Sequence, residues 1–161
     1  ANRCSDARDV RAALPPAALE RLAARVSASE QQHAGEIRLC VEGGLPWSYI
    51  RRDAAARDRA LTLFGKLRVW DTEHNNGVLI YLLMAEHAIE LIADRGLIAR
   101  IGPDYWAKIA ADLGQTLSER RFEEGLARTV DALTALLIAH FPRDGAAPKP
   151  NELPDAPVVL G

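Results

Sequence analysis

Val78-Leu79-Ile80-Tyr81-Leu82-Leu83-Met84 is an unbroken apolar run. It is too short for a buried helix and has the length of a strand covered on both faces. Ala85 to His87 then makes a short turn, and Ala88 to Ala93 returns as another strand. So tight a connection makes the two antiparallel. Upstream, Glu36 to Glu42 alternates, with Ile37, Leu39 and Val41 on one face, and reads as the first strand. Gly43, Gly44 and Pro46 end it. Between these two strands lies a helical stretch with the apolar stripe Ala60, Leu63, Phe64 and Leu67, for which Asp53 is the expected N-cap. A strand, a helix and a second strand in this order predict parallel pairing with a right-handed crossover.

Working outward, Pro15-Pro16 opens a helix whose stripe is Leu19, Leu22, Ala23 and Val26. Gly102-Pro103 opens another, carrying Trp106, Ile109, Leu113 and Leu117. A last helix runs from about Arg121 through Phe122, Leu126, Val130, Leu133 and Leu137, and stops before Pro142. The expected fold is α/β, a three-layer α/β/α sandwich with a small mixed sheet flanked by helices. Residues 1–14 are expected to be a flexible N-terminal segment and 15–142 the folded domain. Residues 143–161 read as a Pro/Ala-rich tail, whose Val158-Val159-Leu160 could dock on the body or pair with a sheet edge.

The chain has 161 residues, 48% apolar and 26% charged. That is enough for one domain to bury a core without disulfides or a structural metal. A formal net charge of −2 and only short basic pairs, Arg51-Arg52 and Arg120-Arg121, argue against a nucleic-acid partner. Cys4 and Cys40 match neither a disulfide framework nor a zinc spacing. No run reaches the roughly 18 apolar residues of a membrane span. The expected location is cytoplasmic or membrane-associated, or periplasmic if a targeting segment precedes Ala1.

The inferred topology brings distant polar residues to one sheet edge. They are His33 and Glu36 before and at the first strand, Asp71, His74, Asn75 and Asn76 ahead of the second, and Asp94 and Arg95 after the third. Carboxylates and amides are hard oxygen ligands, so Asp71 and Asp94 are candidate ligands of Ca²⁺ or Mg²⁺. His33, Glu36, His74, Asn75, Asn76 and Arg95 are the accompanying binding candidates, and Arg95 suits a phosphate or carboxylate. The same residues also have a structural reading. Asn75-Asn76-Gly77 is an ordinary turn, Asp94-Arg95-Gly96 an ordinary strand exit, and His33 a helix-end residue. Trp47 and Tyr49 sit in a Gly/Pro-rich loop and could line a pocket, whereas Trp106 is expected in the core. The chain carries no phosphate loop, dinucleotide fingerprint, nucleophile elbow or zinc-protease helix.

Several segments together resemble the TPM domain, which is shared by a thylakoid-lumen photosystem-repair protein and many bacterial envelope proteins. They are Ser29-Glu30, Gly35-Glu36-Ile37-Arg38, Leu67-Arg68-Val69-Trp70-Asp71-Thr72, Asn75-Asn76-Gly77-Val78-Leu79-Ile80-Tyr81, Ala93-Asp94-Arg95-Gly96-Leu97 and Arg121-Phe122-Glu123-Glu124-Gly125-Leu126. The resemblance implies an α/β/α sandwich, a divalent-cation site in some members and an acid-phosphatase activity. Asn76-Gly77 and Asp94 match the family's strand entry and acidic strand exit. The Val-x-Asp pattern of many members is not matched at Asp9-Val10-Arg11-Ala12-Ala13-Leu14, and Asp71 and His74 stand where many members have neutral residues. The expected function is a non-catalytic accessory or interaction domain in envelope or membrane-protein maintenance, with a protein partner. The alternative is a metal-assisted acid phosphatase acting on phosphomonoesters. There Asp71 and Asp94 would hold the metal, Arg95 the phosphate, and His33 or His74 would shuttle the proton.

Overall fold

A computed structural model describes residues 10–51, 55–143 and 152–160. The four-stranded sheet has the order β3-β2-β1-β4, with β1 at Glu36–Glu42, β2 at Gly77–Leu83, β3 at Ala88–Ala93 and β4 at Val158–Leu160. β1 and β2 are parallel, β2 and β3 antiparallel, and β4 adds parallel to β1. The pairing expected for the first three strands is observed, and the terminal Val158-Val159-Leu160 is the edge strand.

Helices cover both faces. α1 (Pro16–Glu30), α5 (Pro103–Ser118) and α6 (Phe122–His140) pack on the face built from Ile37, Leu39, Val41, Val78, Ile80 and Leu82. α2 (Trp47–Arg51) and α3 (Ala56–Lys66) cover the face built from Cys40, Leu79, Tyr81, Leu83 and Ile92. β2 is buried along its whole length because helices lie on both sides of it, which is why its run is apolar without alternation.

Four details depart from the sequence reading. Val10 and Leu14 are buried in the core, and residues 10–13 are helical, so this part of the N-terminal segment is packed rather than loose. Asp53 lies outside the described residues. The N-cap position of α3 is held by Ala55, whose N–H donates to Asp58 Oδ2 at 3.1 Å. Trp47 and Tyr49 belong to a short helix, with Tyr49 buried and Trp47 exposed. Asp94-Arg95-Gly96 does not simply end a strand, because Asp94 caps α4 (Arg95–Arg100).

Candidate functional site

The register sets Glu36 beside Gly77 and Val78 beside Ala93, so three strand ends are flush at one edge. Asn76 is fully buried there and is held three ways. Its N–H donates to Thr72 Oγ1 at 3.1 Å, its Nδ2 donates to the Ala34 carbonyl at 2.9 Å, and its carbonyl accepts from the Glu36 N–H at 3.2 Å. Gly77 follows because the chain passes under the Val69 carbonyl, only 2.2 Å from where a Cβ would stand. Asp94 Oδ1 accepts from the Arg95 N–H at 2.7 Å, and the Gly96 N–H donates to the Asn75 carbonyl at 3.0 Å. Asn75, Asn76, Asp94 and Arg95 are therefore brought together. Among the described residues, Asn76 Oδ1 and Asp94 Oδ2 are buried without a hydrogen-bond partner.

The remaining candidates take other roles. His33 is fully buried. Its Nδ1 accepts from the Gly35 N–H at 3.1 Å and its Nε2 meets Ser29 Oγ at 2.9 Å, which places the proton on Nε2. Glu36 is fully buried, and its Oε1 accepts from the Glu152 N–H at 3.0 Å. Asp71 pairs with Arg68 at 2.9 Å on the surface, and His74 is exposed beside Glu73. Asn76 and Asp94 supply hard oxygens of the kind that Ca²⁺ or Mg²⁺ takes, and waters complete the shell of either ion. Among the described residues, no group of three or more His, Cys, Asp or Glu side chains is arranged to hold a metal.

Two buried constellations escaped the sequence reading. Glu30 is 5% exposed, and its Oε2 accepts from the Ile37 N–H at 2.9 Å. Burial first, then hydrogen bonds with Glu36 and Asp155, push its carboxyl up to about 10, so it is a neutral acid at pH 7. Its position was legible: Leu22, Val26, Ser29 and Glu30 continue one helical stripe. On the opposite face of the sheet, Glu42 accepts from Arg59 Nε at 2.8 Å, Arg59 Nη2 at 2.9 Å and Tyr81 Oη at 2.8 Å. Arg59 also lies over the Tyr49 ring. Hydrogen bonding to Glu42 raises the Arg59 pKa, and burial, with Glu42, raises that of Tyr81. Burial, with Glu42, likewise pushes the Cys40 thiol up to about 12, which makes it a poor nucleophile. Among the described residues, an open cavity of about 600 Å³ at the far end of β1 and β2 has His87 and Arg120 as its ionisable lining groups.

The TPM domain family model matches residues 8–136. The fold is similar to the NMR structure of the BA42 protein from the psychrophilic bacterium Bizionia argentinensis. The TM-score is 0.79 at 22% identity, over 91% of this chain and 94% of that one. No curated protein matches. With the match covering most of the chain and the sandwich in place, the chain belongs to the TPM domain family.

Proposed function

We propose that this domain is a non-catalytic accessory module that binds a protein partner in envelope or membrane-protein maintenance. The observation that carries the reading is how four of the edge's six ionisable candidates are engaged, His74 and Arg95 standing exposed at the surface. His33 is locked between Ser29 and Gly35, Glu36 receives the Glu152 N–H, Asp94 caps α4 and Asp71 holds Arg68. A general base or nucleophile needs a free approach to substrate. Exposed apolar side chains offer a contact surface instead: Trp47 and Ile50 on α2, Leu61 on α3, and Trp70 just beyond it.

A pulldown from detergent-solubilised membranes tests this reading. The chain should retain a specific partner that a Trp47→Ala/Trp70→Ala variant loses. Identical recovery by both would count against it. The second reading, a cation-assisted phosphatase, has one observation in its favour: the unpartnered Asn76 Oδ1 and Asp94 Oδ2. Its readout is hydrolysis of p-nitrophenyl phosphate with Ca²⁺ or Mg²⁺, expected here not to exceed buffer. Turnover abolished both by chelator and by Asp94→Asn would install the phosphatase reading.

A further inference from the structure

Residues 152–160 lie beyond the span that the family model matches, yet they run along the outer edge of β1 as a strap. The Glu152 N–H donates to Glu36 Oε1, and Glu152 Oε2 accepts from the Glu73 N–H at 2.9 Å. Leu153 is 4% exposed in the cluster beneath α3. Arg38 Nη1 donates to the carbonyls of Pro154 at 2.9 Å and Ala156 at 2.8 Å, clamping the backbone on both sides of Asp155. β4 then pairs with Cys40, Val41 and Glu42, and the Gly43 N–H donates to the Leu160 carbonyl at 3.0 Å.

These contacts are mostly to the strap's backbone, and Leu153 is the one fully buried side chain among its described residues. The ladder has three residue pairs, against seven between β1 and β2. That is the pattern of strand addition at an open sheet edge, where main-chain bonds supply affinity and a few side-chain pockets supply selectivity. We propose that the outer edge of β1 is a peptide-binding groove, that residues 152–160 are its built-in ligand, and that an extended partner peptide of the same pattern takes their place. The groove specifies that peptide. A leucine fills the place of Leu153. An acidic residue between the two clamped carbonyls is favoured by the charge of Arg38, as Asp155 is. Aliphatic residues follow, in a strand parallel to β1.

The inference rests on the reading of the domain as an interaction module and names its partner class. The two can fail separately: the peptide assay uses no membrane extract, and the pulldown variant leaves the groove intact. The probe is a fluorescein-labelled peptide of residues 152–160, read by anisotropy against a chain ending at Arg143. Saturable binding is expected, about tenfold weaker with Arg38→Ala and at least about tenfold weaker to the full chain, whose own strap competes. A truncated chain that melts cooperatively and leaves the anisotropy unchanged overturns the proposal. Should the truncated chain not melt cooperatively, the full chain is folded first and then cut at a protease site introduced between residues 144 and 151. The labelled peptide should then enter the cut protein as the strap leaves. A cut protein that keeps its strap and excludes the peptide overturns the proposal.

Discussion

Glu30 keeps its proton in the folded chain up to about pH 10, whereas an ordinary glutamate releases it near 4.5. Between those values the folded state binds more protons than the unfolded one, so this residue lowers stability progressively as pH rises through that window. Glu30→Gln removes the titration while keeping an acceptor for the Ile37 N–H and a donor toward Glu36. The variant should be more stable than the parent at pH 8 by roughly 1–3 kcal/mol, and equal to it near pH 4. Urea melts at the two pH values check this. The helical stripe already placed Glu30 inward, and the alternation of β1 already placed Glu42 on the Cys40 face. Which groups would stand opposite them was not legible, because Asp155 and Arg59 come from other elements.

Elements end where their caps allow, and two caps here use arginine where glycine is usual. After α5, Arg120 has φ 59°, with its N–H on the Leu117 carbonyl and the Arg121 N–H on that of Thr116. After α3, Arg68 has φ 57°, with its N–H on the Gly65 carbonyl and the Val69 N–H on that of Phe64. Both are Schellman ends, in which a side chain at positive φ is strained and glycine is not. Arg120→Gly should therefore stabilise the chain by about 0.5–1 kcal/mol, seen as a higher urea midpoint at unchanged slope. The same pair of arginines explains why these helix ends lacked a punctuation signal. α2 and α4 were missed for a different reason: helices of five and six residues show too little of the 3.6-residue period to be read.

At the scale of the whole molecule, stability is graded across the sheet. β2 is central and buried throughout, whereas β4 is a three-residue edge strand with Val159 39% exposed. Amides of β2 should exchange with solvent only through global unfolding. Those of β4 should exchange through local opening, about a hundredfold or more faster, as native-state hydrogen exchange by NMR would show. The three main strands, the longer helices and the meeting of Asn76 and Asp94 at one edge were all readable from the chain. Periodicity and connection length are local properties, and together they dictate which strand ends coincide. Burial and pairing depend instead on what lies opposite. Only the folded molecule could enclose His33 against Pro142, set Glu30 beside Asp155 and lay residues 152–160 along β1. Each of those outcomes joins segments far apart in sequence, and no local pattern encodes such a contact.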